Sequence, residues 1–130
     1  MAEDPNVKLW RRGQKAFALR DMAALQEVWS SDVVYHFPGV SQLAGDHVGL
    51  DAVLKFFAKI VEITEGTLQL QEHDVMATDH HVVALLRLTA TRRGRQFAWN
   101  QANIYHASGG KATEAWIQPA DQKAFDDFFS

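Results

Sequence analysis

The segment HVVALLRLTATRRGRQFAWNQANIYHAS, residues 81–108, decides the fold predicted for this chain. Apolar and polar side chains alternate along both of its halves, which is the period of a β-strand. Gly94 alone separates the halves, and a join that short requires an antiparallel hairpin because parallel neighbours need a long crossover. Segments 67–78 and 110–120 continue the alternation on either side, across equally short joins. The sequence therefore predicts a meander of four antiparallel strands.

Three helices and one further strand are predicted before the meander. Apolar residues recur at spacings of three and four in residues 6–20 and 21–30, and again in a third segment that ends at Gly66, a natural helix terminator. Between the second and third helices, a β-branched and aromatic run begins at Val33 and ends before Pro38, which predicts a strand. A loop rich in turn-forming residues follows this strand.

This order of elements indicates an α+β domain that spans residues 1–130. The length is that of one ordinary domain, and 47% hydrophobic with 22% charged residues is typical of a globular chain. Long strands curl, so we expect a strongly curved, cone-shaped antiparallel sheet with the three helices of the N-terminal half packed on its concave side. Such a cone leaves an open end, where ligand cavities commonly form. The tail predicts a last helical turn that buries Phe125, Phe128 and Phe129.

Composition and charge exclude several classes of partner. The formal net charge is −3, from 13 basic and 16 acidic residues, which gives no general surface for nucleic acid or for an anionic membrane. Arg92, Arg93 and Arg95 cluster at a single hairpin turn without interleaved aromatic residues, so we expect a solvated turn. No run approaches the ~18 apolar residues of a membrane span, and the N-terminus lacks a signal-peptide core. The protein is therefore predicted to be cytoplasmic.

No motif indicates metal or cofactor chemistry. The chain has no cysteine, which excludes disulfides and cysteine-ligated metal sites. The six histidines form neither a His-Glu-x-x-His nor a His-x-His pattern, and no Asp-rich calcium loop occurs. A Gly-rich phosphate loop and a Gly-x-Ser-x-Gly elbow are also absent. We therefore predict no metal and no cofactor.

Three stretches together resemble a known superfamily. They are RDMAALQEVWSSDVVYHFPG at residues 20–39, LAGDHVGLDAVLKFF at residues 43–57 and GGKATEAW at residues 109–116. In order and spacing they are similar to the helix-to-strand junction, the loop before the third helix and the last hairpin of NTF2-like proteins. Within that superfamily the chain resembles the SnoaL-like polyketide cyclases and the ketosteroid isomerase-related proteins. The resemblance implies the cone-shaped fold, also called cystatin-like, and a homodimer packed through the sheets.

The catalytic pattern of ketosteroid isomerase is not matched. The position that the resemblance assigns to the catalytic Asp of that family, late in the first strand, falls on Phe37. The position of its Tyr donor on the first helix falls near Gly13, and that of its protonated Asp falls near Asn103. Phenylalanine cannot shuttle a proton, although Asn103 can still donate a hydrogen bond to a carbonyl oxygen. Steroid isomerisation by that mechanism is therefore not expected.

One face of the penultimate strand is a candidate pocket wall. It carries large aromatic residues and carboxamides in alternation, and its members are Phe97, Trp99, Gln101, Asn103 and Tyr105. Apolar walls with a few orienting polar groups are typical of small-molecule sites, whereas the alternative is a convex or dimer-facing surface. We predict ligand contacts for Tyr35, Trp99, Gln101, Asn103 and Trp116. For Trp116 a dimer contact between sheets is the alternative.

Two side chains are candidates for proton transfer. His36 titrates near neutral pH and stands beside the Pro38 break, but Tyr35 and Phe37 have the opposite parity, so a structural role outside the core is equally compatible. The resemblance to SnoaL-like cyclases implies an acidic residue near the end of the last strand. Asp121 is the nearest match, and Glu114 is the nearest acid within that strand. We predict catalytic roles for His36 and Asp121.

Two functions remain open at this point. The first is an enzyme of the isomerase or cyclase type that performs proton transfer on a small, apolar, carbonyl-bearing molecule, with Gln101 and Asn103 holding the oxygen. The second is a binding or accessory protein with the same cone and no turnover. We predict the first function and keep the second as the alternative, which the unmatched catalytic positions support.

Overall fold

Four helices and six strands make up the computed structural model, which describes residues 3–130. In chain order they are α1 (Pro5–Ala18), α2 (Met22–Val28), β1 (Trp29–Phe37), β2 (Gly45–Val48), α3 (Leu50–Ile63), β3 (Gln69–Ala77), β4 (His81–Arg92), β5 (Arg95–Ser108), β6 (Lys111–Pro119) and α4 (Gln122–Phe129). The strands form one sheet in the order β2-β1-β6-β5-β4-β3. The predicted α+β class and the antiparallel meander of β3 to β6 are confirmed.

The edge formed by β1 and β2 departs from the sequence prediction. β1 begins at Trp29 rather than Val33, and it pairs with β6 in parallel. β2 forms within the segment predicted to be a loop and pairs antiparallel with β1, from Val34 opposite Val48 to Phe37 opposite Gly45. Neither pairing has a local sequence signal, because a four-residue edge strand is short and the parallel partner lies far along the chain.

Register shifts bend the sheet around the helices. β3 shifts its pairing between Glu72 and Asp74, and β5 shifts between His106 and Ala107. An extra residue in one strand bends that strand and increases the local twist. The buried side chains of β4 alternate strictly along the strand and face the helices, and they are Val82, Ala84, Leu86, Leu88 and Ala90.

Aspartates define the beginnings of three helices. The Asp4 carboxylate accepts a hydrogen bond from the Asn6 backbone N–H at 2.7 Å. Asp21 does the same for Ala24 at 3.1 Å. Such side-chain caps satisfy backbone donors that the first helical turn leaves free, and each contributes about 1 kcal/mol. α4 begins in the same way at Asp121.

α4 is longer than the predicted last turn, and it buries the three expected phenylalanines. Phe125 and Phe129 are fully buried, and Phe128 is 3% exposed. The Arg92 guanidinium donates a hydrogen bond to the Phe128 carbonyl at 3.0 Å, so Arg92 is buried. The predicted solvated arginine turn is therefore wrong for Arg92, because the last turn of α4 leaves carbonyl acceptors that this side chain fills. Arg93 and Arg95 are exposed, as expected.

Within residues 3–130, no helix combines the length and the hydropathy needed to cross a bilayer.

Candidate functional site

A cavity of about 60 Å³ lies between the sheet and the helices. One buried water needs roughly 10–15 Å³, so the cavity has room for more than a single solvent molecule. All four helices and five of the six strands contribute to its lining, and ten of the lining residues are aromatic. The partly exposed lining residues, which include Gln14 and Phe17 of α1 and Leu70 of β3, mark its open side.

Aromatic rings from β1, α3 and β5 form the wall of the cavity. Tyr35 packs edge-on against Phe57 with ring centroids 5.5 Å apart, and it contacts Phe56 at 5.2 Å. Trp29 packs edge-on against Tyr105 at 5.0 Å. Such edge-to-face and tilted pairs are favourable geometries for aromatic rings. They give the cavity a wall of closely packed aromatic rings.

A row of polar side chains crosses this aromatic wall along β5. The Trp99 indole N–H donates to Gln101 Oε1 at 2.9 Å, and Gln101 Nε2 donates to Asn103 Oδ1 at 2.8 Å. Asn103 Nδ2 in turn lies 3.4 Å from the Tyr105 hydroxyl. Residues at every second position of a strand share one face, which is why β5 can align all four. Gln101 and Asn103 are both buried.

The direction of the row follows from its first member. An indole N–H can only donate, so Gln101 must present its oxygen to Trp99 and its amide nitrogen to Asn103. Asn103 must then accept with its oxygen and turn its amide nitrogen toward Tyr105. Asn103 therefore donates to the Tyr105 oxygen, and the row offers no acceptor for the Tyr105 O–H proton.

The only titratable side chains among the described residues that line the cavity are two tyrosines. Burial raises the pKa of Tyr105 to about 12, against the opposing hydrogen bonds from Asn103 and Trp10. Burial, together with the nearby Tyr105, raises the pKa of Tyr35 well above its ordinary value. Both phenols stay protonated and neutral at physiological pH. The described part of the wall therefore carries no formal charge.

Four of the predicted ligand-contacting residues lie at the cavity wall. They are Tyr35, Trp99, Gln101 and Asn103, which the topology brings together from β1 and β5. Ligand binding by these four side chains stays a prediction. Gln101 and Asn103 already use one donor and one acceptor each within the row.

The other three predicted site residues are not among those that line this cavity, and their predicted roles stay predictions. His36 and Trp116 are paired neighbours on β1 and β6 whose side chains stack on the opposite face of the sheet, with ring centroids 5.6 Å apart. The alternation that directs Tyr35 and Phe37 into the core directs His36 outward. Asp121 caps α4, where its carboxylate accepts from the Ala124 backbone N–H at 3.0 Å. Aspartate is favoured at the start of a helix, which explains why Asp121 stands between β6 and α4.

Two wall residues were not singled out as site residues from the sequence. Tyr105 was placed on the alternating face of β5 but was not included among the predicted ligand contacts. Trp10 is 2% exposed and lines the cavity from α1. No sequence signal places Trp10 at the cavity, because α1 reaches the sheet only in the folded chain.

Comparison with known proteins agrees with this architecture. The family model of the SnoaL-like domain matches residues 10–115 of the chain. The chain belongs to the SnoaL-like domain family. The sequence resemblance to SnoaL-like proteins is thereby confirmed. One fold hosts many chemistries, so family membership does not identify the reaction or the ligand. A more specific function has to be argued from the residues of the cavity.

One relative and two solved structures are similar to the SnoaL-like protein. It is 33% identical to the uncharacterized protein Rv0034 of Mycobacterium tuberculosis (strain H37Rv), over 96% of this chain and 98% of that protein. Its fold is similar to Bal32a from a soil-derived mobile gene cassette, with a TM-score of 0.93, 29% identity and 97% of each chain covered. An NTF2-like protein from Burkholderia xenovorans has a TM-score of 0.86 at 20% identity, with 100% of this chain and 99% of that chain covered. This last likeness shows the fold alone.

His36 of the SnoaL-like protein lies on the outer face of the sheet and contacts side chains of both β2 and β6. Its Nδ1 lies 2.7 Å from an Asp46 carboxylate oxygen, and its Nε2 lies 2.5 Å from a Glu114 carboxylate oxygen. Because a carboxylate can only accept, both ring nitrogens must carry protons, which is the imidazolium form. The hydrogen bond to Glu114, followed by that to Asp46, raises the pKa of His36. The homodimer expected through this sheet face stays a prediction.

The ion pairs of His36 make a pH-dependent contribution to stability. The pKa of His36 is higher in the folded chain than in the unfolded chain, where it is ~6.5. The stabilisation by the ion pairs is therefore complete below pH ~6.5 and is lost as the pH rises through the folded-state pKa. We expect the substitution Glu114→Gln to lower the pKa of His36 more than Asp46→Asn does, since Glu114 is the stronger cause. NMR titration of the His36 ring measures both shifts. Equal pKa values in the wild type and both variants would contradict the ion-pair interpretation.

Proposed function

We propose that the SnoaL-like protein binds a small, neutral, largely apolar molecule with a carbonyl oxygen in the cavity. The observation that carries this function is an aromatic wall crossed by neutral hydrogen-bonding groups, without a charged side chain among the described lining residues. Aromatic walls favour a flat apolar body by burial and ring contacts. Neutral donors favour an oxygen acceptor, whereas a charged ligand would lose hydration without gaining a counter-charge.

Proton-transfer catalysis is the competing function. General acid–base work near neutral pH needs a group in reach of the substrate whose pKa lies near the working pH. His36 and Asp121 lie outside the cavity, and the raised pKa values of Tyr35 and Tyr105 keep both phenols protonated. These positions support ligand binding without turnover over an isomerase or cyclase reaction.

Titration with acetophenone, followed by the indole N–H signals in ¹H–¹⁵N NMR spectra, tests the binding function. Trp10, Trp29 and Trp99 line the cavity, whereas Trp116 lies on the other face of the sheet and is an internal control. We expect saturable shifts of the first three signals and none for Trp116. Benzoate and benzylammonium, which have a charge in place of the ketone, are expected to bind at least about tenfold more weakly.

A pair of matched variants locates the binding. Leu70→Phe narrows the open side of the cavity, whereas Leu85→Phe adds the same bulk on β4 outside the lining. Only the first is expected to weaken acetophenone binding. Equal shifts at all four indoles, or equal weakening in both variants, would overturn the cavity as the binding site.

The same ketone distinguishes binding from catalysis. A proton-transfer enzyme that acts beside a carbonyl would exchange the methyl protons of acetophenone with deuterium from D₂O. We expect the protein to leave this exchange at its buffer rate while the ketone is bound. Accelerated exchange that persists in the His36→Gln and Asp121→Asn variants would establish catalysis by a group in the cavity and refute a non-catalytic role.

A further inference from the structure

Tyr35 and Tyr105 line the cavity. Their hydroxyl groups are hydrogen-bonded differently from the amide groups of Gln101 and Asn103. Tyr35 is 6% exposed as a residue, and its hydroxyl has no hydrogen-bond partner within residues 3–130, yet it is not one of the fully enclosed unpaired atoms. Its oxygen therefore borders accessible space, where water or a ligand can be its partner. The side chain lines the cavity, so the missing partner has to come from the cavity contents.

The Tyr105 hydroxyl also lacks a hydrogen-bond partner, in this case an acceptor for its proton. Its oxygen faces the Asn103 amide nitrogen at 3.4 Å. Since Asn103 donates here, the Tyr105 proton has no acceptor in the row and is available to the cavity. The rings of Tyr35 and Tyr105 both pack edge-on against Trp29, with ring centroids 5.7 and 5.0 Å from it. The two unused O–H donors therefore belong to one small region of the wall.

We propose that the hydroxyls of Tyr35 and Tyr105 together hold the acceptor oxygen of the ligand. This inference rests on the proposed binding function and names the groups that select the ligand. Gln101 and Asn103 then act as positioning residues, because they engage each other and orient Tyr105 rather than grip the oxygen themselves. The site selects ketones and related carbonyl compounds, whose oxygen accepts from two donors, over hydrocarbons of the same shape.

A matched pair of ligands isolates the contribution of these donors. Acetophenone and ethylbenzene have similar shapes, but only the ketone accepts hydrogen bonds. We expect the wild type to bind acetophenone roughly tenfold more tightly, in line with one net hydrogen bond of about 1.4 kcal/mol. The indole N–H signals of the cavity tryptophans report both affinities.

Single-atom variants assign that preference to the two phenols. Tyr35→Phe and Tyr105→Phe remove only a hydroxyl, and each is expected to reduce the ketone preference about three- to tenfold while ethylbenzene binding is unchanged. Tyr35→Phe still decides the question if loss of the Tyr105 hydroxyl prevents folding. His36→Gln, on the neighbouring residue of β1 but on the other sheet face, is the control and should keep the full preference.

The outcomes separate the two proposals. Equal wild-type affinities for both compounds, or a ketone preference that survives both Tyr→Phe substitutions, would overturn the donor pair while leaving cavity binding intact. Absence of binding for both compounds would overturn the binding function and the donor pair with it. Loss of the preference in the tyrosine variants alone would establish the donor pair.

Discussion

Replacing Phe125 with alanine is expected to lower the free energy of unfolding by about 3–5 kcal/mol. Phe125 is fully buried, and its ring lies 5.4 Å from that of Phe37, 5.6 Å from Trp99 and 4.6 Å from Phe129. It joins α4 to β1 and β5, so truncation leaves a void between three elements. The surrounding rings cannot all relax into that void, which adds a cavity cost to the lost transfer free energy.

Urea denaturation followed by tryptophan fluorescence measures this loss. Val40→Ala is a suitable control because Val40 is 90% exposed, and its effect should stay within about 0.5 kcal/mol. A loss below about 1 kcal/mol for Phe125→Ala would show that α4 does not pack on the sheet as described. Because Phe125 also lines the cavity, the variant is expected to accept ligands larger than acetophenone.

The second large effect is expected at alkaline pH. The chain has two tyrosines, and the pKa of Tyr35 is raised well above its ordinary value while that of Tyr105 is raised to about 12. A raised folded-state pKa stabilises the fold fully below the unfolded value of ~10 and loses that contribution as the pH rises through the folded value. The two-unit shift of Tyr105 corresponds to roughly 3 kcal/mol of stability lost between pH ~10 and ~12.

Tyrosinate absorbance near 295 nm tests this titration directly. We expect the native protein to show little tyrosinate at pH ~10, whereas the urea-unfolded chain should be about half ionised there. The double variant with Tyr35→Phe and Tyr105→Phe corrects the stability curve for all other groups that titrate at high pH. A native absorbance change centred near pH ~10 would refute the buried, protonated state of both phenols.

Strand alternation made much of the cavity wall predictable. Trp99, Gln101 and Asn103 alternate along β5 because it is long and regular, and short joins determine its antiparallel neighbours. The same reasoning assigned opposite sheet faces to Tyr35 and His36. It left the position of Trp116 open, since nothing in the sequence says which face of β6 meets the helices. It did not distinguish the two roles of Asp121, because helix capping and catalysis call for the same residue type.

Residues 81–108 by themselves determined the sheet that carries the site, because side-chain alternation and turn length are local properties of the chain. Only the tertiary structure decided what that sheet contacts. The parallel pairing of β1 with β6, the packing of Trp29 against Tyr105 and the hydrogen bonds of His36 to Asp46 and Glu114 all join distant segments. Such contacts form because folding brings complementary donors and acceptors together in space, and no spacing along the sequence records them.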